Sequence, residues 1–190
     1  MTAPTASGFA VFDTPIGTCG VAWNARGITG LQLPAANAAA TRARLRRRWP
    51  AAVESAPPAG VQRAIEQVLL LLNGKRIDLG DIPLDLEAAP EFHRKVYEVA
   101  RTIPPGQTMT YGEIAKRMGV PHESREVGQA LGSNPVAIIV PCHRVLGADG
   151  KMGGFSAPGG IATKRRILEI EGAAAIGAGP LFAGLDQRRG

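Results

Sequence analysis

The sequence predicts a mixed α/β (α+β) protein in which a small antiparallel sheet with helices precedes a helical part. Residues 9–33 alternate short apolar runs with the turn-forming strings TPIG and NARG, a pattern typical of an antiparallel meander. Apolar residues then recur at helical spacing in AANAAATRARLRRRW and VQRAIEQVLLLLNG. Further on, YGEIAKRM, GVPHES and REVGQAL are two short helices around a turn that contains glycine, which is the helix-turn-helix pattern.

In the first half, Val61, Ile65, Val68 and Leu72 mark one apolar stripe of the second helix. The segment PAAVESAPPAG is a proline-rich connector, and GKRIDLGDIPLDLEAAP has the glycine, proline and aspartate content of a linker. We therefore expect a domain boundary near residues 84–90. One domain then covers residues 1–86 and a second covers 87–175, and residues 176–190 form a flexible tail.

The second half opens with a helix over EFHRKVYEVARTI, in which Phe92, Val96, Val99 and Ile103 share one face. The string PPG ends this helix because proline cannot continue it. Thr110 is the expected N-cap of the next short helix. The helix-turn-helix pattern alone also fits an ordinary helical hairpin, so it does not establish DNA binding.

Length and composition restrict the function classes. The chain has 190 residues, of which 45% are hydrophobic, enough to form the core of one ordinary domain or two small ones. The sequence shows neither the roughly 18-residue apolar run of a membrane-spanning helix nor the n- and h-regions of a secretory signal. We expect a cytoplasmic protein without a membrane partner.

The charge is carried mostly by arginine. The formal net charge is +6, and only five of the 22 cationic residues are lysines. Guanidinium groups suit phosphate, so a polyanionic partner is favoured. The run RARLRRR at 42–48 could be a DNA-binding stripe, but we interpret it as the solvated face of a helix, which is the commoner meaning of such a run.

The two cysteines, Cys19 and Cys142, are far apart and have no CxxC or Cys/His zinc spacing. We expect reduced thiols, no metal site, and a buried strand position for Cys19. Cys142 directly follows the β-branched run in PVAIIVPCHRV, where nearby cations would stabilise a thiolate. His143 is the nearest base, although neighbouring side chains on an extended segment point to opposite faces. From the residues alone, a reactive thiol and a structural thiol both remain open.

The strings TYGEIA, SREVGQALGSNP, IIVPCHRV, GGF and KRRILEIEG occur in one order. Together they resemble the O6-alkylguanine-DNA alkyltransferase family, the methylated-DNA–protein-cysteine methyltransferases, and PCHRV is the most specific of them. The resemblance covers the whole chain. It implies a ribonuclease-H-like first domain and a winged-helix-like second domain that binds double-stranded DNA. It also implies that the protein flips an O6-alkylguanine out of the duplex and transfers the alkyl group irreversibly to its own cysteine, as a monomer and without a cofactor.

The same resemblance assigns the catalytic roles. Cys142 is the alkyl acceptor, and His143 with Glu171 forms a relay in which a water links the imidazole to the thiol. Glu171 is preferred to Glu169 because the pair Glu-Gly closes the family's last helix. Tyr111 is the expected acid that donates a proton to the departing base.

Asn134 resembles the family's hinge, which ties the recognition helix to the active-site segment through backbone hydrogen bonds. Arg125 matches the finger that replaces the extruded nucleotide in the stack. Gly128 and Ala130 are expected to let the recognition helix approach the minor groove closely. The remaining expected DNA contacts are Thr110, Ser124 and Gln129.

Four residues are expected to contact the substrate: Val145, Phe155, Ser156 and Lys164. Carbonyl groups of Cys142 and Val145 would recognise the exocyclic amine of guanine, and the Ser156 region would close over the lesion. His93 and His122 are interpreted as surface residues.

The chain departs from the family pattern at two places. Glu126 stands where alanine is usual, which would weaken DNA binding or require a cationic neighbour such as Arg117. The string FSAPGG makes the pocket loop about two residues longer than in many relatives. Two alternatives stay open at this point: an alkyltransferase-like lesion sensor that recruits other repair factors, and a thiol hydrolase that uses Cys142 and His143.

Overall fold

The computed structural model describes residues 6–152, 156 and 158–173. The expected flexible tail at 176–190 and the expected substrate contact Phe155 lie outside these residues. The strands are β1 (Gly8–Thr14), β2 (Gly17–Asn24), β3 (Gly27–Gln32), β4 (Val53–Glu54), β5 (Met109–Thr110) and β6 (Val145–Leu146). The helices are α1 (Ala38–Arg48), α2 (Ala59–Leu72), α3 (Glu91–Arg101), α4 (Tyr111–Arg117), α5 (Ser124–Gly132) and α6 (Gly160–Ile170). Short 3₁₀ helices cover Cys142–Arg144 and Ala148–Gly150.

The N-terminal sheet has the strand order β3-β2-β1-β4. Strands β1 to β3 form the predicted antiparallel meander, in which Gly8 lies opposite Trp23 and Thr14 lies opposite Gly17. Strand β4 pairs with β1 in the parallel direction through Val53. The proline-rich connector PAAVESAPPAG therefore contains a strand that the sequence did not predict, because two residues are too few to show a period of two.

Helix α1 packs on one face of this sheet, and two glycines make room for it. A Cβ atom at Gly30 would lie 2.0 Å from Cη2 of Trp49, and one at Gly20 would lie 2.4 Å from Cδ1 of Leu45. Trp49 and Leu45 are both buried. The close approach of α1 to the sheet therefore depends on glycine at these positions.

Helix α2 contributes its predicted stripe to the larger apolar cluster, where Val61, Ile65, Val68 and Leu72 are all buried. Helix α3 also has its predicted apolar face, with Val96 and Ile103 buried and Phe92 and Val99 packed against the cluster. The hydroxyl of Tyr97 on α3 donates to the carbonyl of Ala130 on α5, at 2.9 Å.

Part of the predicted linker packs into the core. Leu79 and Ile82 are buried, and the Arg101 guanidinium donates to the carbonyl of Ile82 at 2.9 Å. Arg26 forms an ion pair with Asp85 at 2.8 Å. The glycine, proline and aspartate content of this segment correctly predicted irregular backbone. Irregular backbone can nevertheless contribute buried side chains to the core.

The buried apolar cluster runs through both predicted domains. At the edge of the sheet, the N–H of Leu31 donates to the carbonyl of Pro135 at 2.9 Å, and the N–H of Ala137 donates to the carbonyl of Leu31 at 3.0 Å. The domain division between residues 86 and 87 remains a proposal. The same holds for the ribonuclease-H-like description of the first domain. The strand order, with a parallel β4 beside β1, supports the latter.

The helix-turn-helix forms as predicted, from α4 and α5. Thr110 caps α4 in a reciprocal capping box: its hydroxyl accepts from the N–H of Glu113, and the Glu113 carboxylate accepts from the N–H of Thr110. Strand β5, which leads into α4, pairs in parallel with β6, so the start of α4 lies beside the segment that follows Cys142. Within residues 6–152 and 158–173, no helix is both long and apolar enough to span a membrane.

We expect Gly30→Ala to lower the free energy of unfolding by about 1–3 kcal/mol, because the added methyl group overlaps the buried Trp49 ring. Urea unfolding measures this. Gly132→Ala is the matched control, since nothing lies within 4 Å of its Cβ position. Equal stability of Gly30→Ala and the native chain would contradict the packing described for α1.

Candidate active site

Asn134 shapes the segment that leads to Cys142. Its side-chain Oδ1 accepts from the N–H of Val136, and its Nδ2 donates to the carbonyl of Val140, both at 2.9 Å. The run VAIIV is therefore folded into a turn. Ile138 has φ of 72°, in the left-handed region that β-branched residues rarely adopt. Such strain costs about 1–3 kcal/mol and occurs mainly where surrounding contacts enforce it, often at functional sites.

Cys142 begins the 3₁₀ helix Cys142–Arg144, so His143 lies on a helical turn rather than on an extended segment. Cys142 is half-buried and lines a cavity, whereas His143 and Arg144 are buried. The local geometry therefore presents the thiol to the cavity and sends the next two side chains into the protein.

The carboxylate of Glu171 forms hydrogen bonds with both the His143 and the Arg144 side chains. Its Oε1 lies 2.9 Å from Nε2 of His143 and accepts from Nη2 of Arg144 at 2.8 Å. Its Oε2 accepts from Nε of Arg144 at 2.9 Å. Nη1 of Arg144 also donates to the carbonyl of Ile103 at 2.6 Å. Glu169 is exposed and Glu171 is buried, so the structure brings Glu171 to His143.

Burial by itself would raise the pKa of Glu171, but the hydrogen bonds and charges of His143 and Arg144 lower it to about 2. The carboxylate is therefore ionised at neutral pH. An ionised carboxylate only accepts hydrogen bonds, so the neutral imidazole carries its proton on Nε2. This leaves the Nδ1 lone pair of His143 able to accept a proton.

The resting charges of the thiol and imidazole follow from burial. Burial lowers the pKa of His143 and outweighs the opposing effect of Glu171. Burial also raises the pKa of Cys142, while the Asn134 amide, the charge of Lys164 and the backbone N–H groups of Cys142 and His143 act in the opposite direction. At neutral pH the pair is a neutral thiol beside a neutral imidazole, with groups already in place that stabilise a thiolate.

The cavity has a volume of about 280 Å³, near the lower end of the roughly 300–1,000 Å³ usual for small-molecule sites. It lies between the N-terminal sheet and the helix-turn-helix. Its described lining comes from β3 and α1 on one side and from α4, α5 and the Cys142 segment on the other: Leu31, Gln32, Leu33, Arg44, Arg48, Trp49, Tyr111, Gly128, Leu131, Gly132, Ser133, Asn134, Pro135, Ala137, Cys142, Ser156 and Pro158.

Tyr111 and Ser156 are two further polar residues that line the cavity. Burial raises the pKa of Tyr111, and the nearby Cys142 adds to this effect, so the phenol stays protonated and can donate. Ser156 donates to the carbonyl of Gly132 at 2.8 Å. This bond places the loop before α6 against the end of α5, at the side of the cavity.

Val145 and Lys164, expected to contact substrate, are not among the described residues that line the cavity. Both are buried, and Nζ of Lys164 donates to the carbonyl of Val145 at 2.6 Å. The Val145 carbonyl that was expected to meet the ligand therefore already has a charged donor. The structure places Lys164 as a buried cation near Cys142, since each influences the pKa of the other.

On α5, Ser124, Arg125 and Gln129 are exposed, as a binding face requires, and Gly128 is half-buried against Tyr111. The expected role of Ala130 on that face is wrong, because Ala130 is fully buried. Gly132 is the exposed small residue one helical turn beyond Gly128.

Glu126 is exposed on the same helix. Glu126 and Arg117 both lie within the described residues, and they form no ion pair with each other. The expected cationic neighbour therefore does not neutralise Glu126. Thr110 uses its hydroxyl in the cap of α4, where it donates to Glu113 and accepts from the Glu113 N–H. Its structural role is therefore established independently of any contact with DNA.

Sequence reasoning missed the contribution of α1 to the cavity. The run 42–48 is divided between two faces: Arg42 and Arg46 pair with Glu54 at 2.7 and 3.1 Å, while Arg44 and Arg48 line the cavity. The spacing of four within RARLRRR was the available signal. Arg48 is exposed and Arg44 is half-buried, so both are solvated to some degree while they also line the cavity.

The remaining cysteine and histidines lie elsewhere. Cys19 is buried in β2, as expected, and burial raises its pKa to about 12. His122 is exposed, whereas His93 is half-buried with its ring 6.2 Å from that of Tyr97. Among the described residues, no group of three His, Cys, Asp or Glu side chains is arranged to hold a metal ion.

A family model described as 6-O-methylguanine DNA methyltransferase, DNA binding domain, matches residues 91–173. The chain is 37% identical over 163 residues to the methylated-DNA–protein-cysteine methyltransferase of Mycobacterium tuberculosis, covering 86% of this chain and 91% of that protein. The crystal structure of Mycobacterium tuberculosis OGT in complex with DNA matches with a TM-score of 0.71 at 36% identity, covering 86% of this chain and 92% of the other. The O6-methylguanine-DNA methyltransferase of the hyperthermophilic archaeon Pyrococcus kodakaraensis matches with a TM-score of 0.67 at 27% identity, covering 86% and 99%.

We expect Glu171→Gln to lower the free energy of unfolding at neutral pH by about 3–5 kcal/mol, because it strands the buried Arg144 guanidinium. The pKa of Glu171 is lowered from 4.5 to about 2, so its carboxylate stabilises the fold above pH 4.5. That contribution is lost as the pH falls from 4.5 towards 2. The variant should therefore lose less stability than the native chain over this interval, as measured by urea unfolding at several pH values.

Glu169→Gln is the matched control for this experiment. Glu169 is exposed at the end of the same helix, and its loss should change the stability by no more than about 0.5 kcal/mol. Equal effects of the two substitutions would contradict the central position assigned to Glu171.

Proposed function

This chain belongs to the methylated-DNA–protein-cysteine methyltransferase family, and on that basis we propose that Cys142 is the residue that accepts the alkyl group. The protein is a DNA repair protein that removes an alkyl group from O6 of guanine in DNA. The observation that supports Cys142 is its position: the thiol lines the cavity, and the His143–Glu171 pair lies directly behind it.

The reaction is a displacement at the alkyl carbon. A bond forms between that carbon and Sγ of Cys142, and the bond between the carbon and O6 of guanine breaks. The thiol proton passes to Nδ1 of His143, and the departing guanine ends with one added proton on its ring. No cofactor takes part, because the lesion supplies the alkyl group and the protein accepts it. Each molecule therefore repairs one lesion.

The charges around the site favour this proton transfer. Removing the proton from Cys142 leaves a thiolate close to Lys164, the Asn134 amide and two backbone N–H groups. The imidazolium formed on His143 is stabilised by the ionised Glu171 at 2.9 Å. Tyr111, with its phenol protonated, gives its proton to the guanine ring as the C–O6 bond breaks. The proton taken up by His143 then returns through solvent to the Tyr111 phenolate, so that both groups end neutral.

We propose that α5 enters the minor groove and that Arg125 takes the place of the extruded nucleotide. The exposed Ser124 and Gln129, and the close approach allowed by Gly128 and Gly132, support this arrangement. Contacts made mainly to phosphate and groove shape give binding that tolerates sequence and weakens with salt. We place the activity in the cytoplasm, on the nucleoid, where both cysteines would remain the free thiols seen here.

The two alternatives are less well supported. A lesion sensor of this kind would lack the acceptor cysteine, and this chain has Cys142 at the cavity. A thiol hydrolase would use Cys142 and His143 but would leave the helix-turn-helix and Arg125 without a role. Turnover on small esters or peptides would identify it.

We expect one equivalent of duplex containing a single O6-methylguanine to increase the intact protein mass by one methylene group, mapped to the peptide that carries Cys142. Cys142→Ser should show no gain, and Cys19→Ser, which removes the other thiol, should react normally. Intact-protein and peptide mass spectrometry measure both. DNA binding without any mass gain would favour the lesion sensor instead.

We expect the single-turnover rate to form a plateau between pH 6.5 and pH 9.0. The pKa of His143 is lowered from 6.5, so the imidazole stays neutral at and above that value. The pKa of Cys142 is raised from 9.0, so direct loss of its proton to solvent begins only above the plateau. Rates measured from about pH 5 to about pH 10 test this. A rate that rises tenfold per pH unit from 6.5 upward would show that His143 does not take the proton.

A further inference from the structure

Helix α1 presents two arginines to the cavity and two to a carboxylate on its other side. Arg42 and Arg46 are ion-paired with Glu54. Arg44 and Arg48, also four residues apart, line the cavity that contains Cys142. Within the described part of the chain, neither Arg44 nor Arg48 forms an ion pair or a hydrogen bond with another residue. The cavity-facing pair is therefore available to a ligand.

The cavity lining carries positive charge, which an uncharged base alone does not require. The described lining residues contain two guanidinium groups and no carboxylate. An O6-alkylguanine is uncharged and is recognised by hydrogen bonds and stacking. Two uncompensated positive charges beside it favour an anion that enters together with the base.

The arginines are held in a defined place. The Arg48 guanidinium lies 5.3 Å from the centre of the Trp49 ring, within the range of a cation–π contact. Trp49 is itself buried against Gly30. Arg48 is exposed overall, yet partial desolvation of its guanidinium lowers its pKa. Tyr97 opposes this shift, and the nearby charge of Arg44 adds to it. An anion between the two guanidinium groups would relieve their repulsion.

We propose that Arg44 and Arg48 bind the phosphodiester group that flanks the extruded nucleotide. This inference rests on the proposed function, because it assumes that the cavity receives a base attached to a DNA strand. Guanidinium groups bind phosphate with two parallel N–H···O bonds. The N-terminal domain is then part of the DNA interface, and α1 holds the backbone of the strand while the second domain carries out the reaction.

The test compares two double variants of α1. Arg44→Gln/Arg48→Gln removes the cavity-facing pair. Arg42→Gln/Arg46→Gln removes the same charge, at the same spacing, from the opposite face of the same helix. Both are tested as the full chain for the second-order rate of methyl transfer from duplex containing one O6-methylguanine and from free O6-methylguanine base, which has no phosphate. Urea unfolding checks that both variants are folded.

We expect Arg44→Gln/Arg48→Gln to react about 10- to 100-fold more slowly with duplex, as the removal of charge-assisted hydrogen bonds implies. Its rate with the free base should equal that of the native chain. The slope of log affinity for duplex against log salt concentration should become shallower by about 0.9 for each phosphate that the variant no longer binds. Arg42→Gln/Arg46→Gln should keep most of its rate with both substrates.

Three results would overturn the inference. An equal loss of rate with duplex and free base would mean that the arginines only support the cavity wall. Equal losses in the two double variants would mean that net charge alone matters. An unchanged rate with duplex would mean that no phosphate is bound there. If the native chain transfers no methyl group from duplex, the proposed function itself fails, which is distinct from all three.

Discussion

The buried carboxylate of Glu171 holds together the segments on which the chemistry depends. It lies at the end of α6 and accepts from His143 and Arg144, so it joins α6 to the 3₁₀ helix that begins at Cys142. Arg144 extends the connection to the carbonyl of Ile103, beyond the end of α3. A buried charge is costly unless it is paired and hydrogen-bonded. The position of His143, the proposed proton acceptor, therefore depends on how three segments pack around Glu171.

The edge of the N-terminal sheet provides the second constraint. Hydrogen bonds between Leu31 and residues 135–137 attach the segment before Cys142 to β3, and the Asn134 side chain closes the turn that follows. The strained Ile138 is held between these contacts. The N-terminal part of the chain therefore both supports the reactive segment and supplies one wall of the cavity, through β3 and α1.

Charge is distributed unevenly around the cavity in a way that suits a nucleotide. The lining carries arginine and no carboxylate among the described residues, while Glu126 is exposed on the helix expected in the groove. Long-range attraction from a net charge of +6 brings the protein to DNA but does not position it. Positioning of one nucleotide is the role proposed above for Arg125, which is exposed on α5, and for Arg44 and Arg48, which line the cavity.

The sequence by itself determined the elements whose signals are local. Apolar spacing located α2 and α3, turn residues located the meander, and Thr110 marked the start of α4, because each signal depends on residues within about one or two helical turns or strand repeats. The motif PCHRV also singled out Cys142, which lines the cavity and is the proposed acceptor. Tertiary structure alone decided which residues meet across long separations. It paired Glu171 with Arg144, buried Leu79 and Ile82 of the predicted linker, and brought Arg44 and Arg48 to the cavity. Such contacts depend on how elements pack, and no local period records them.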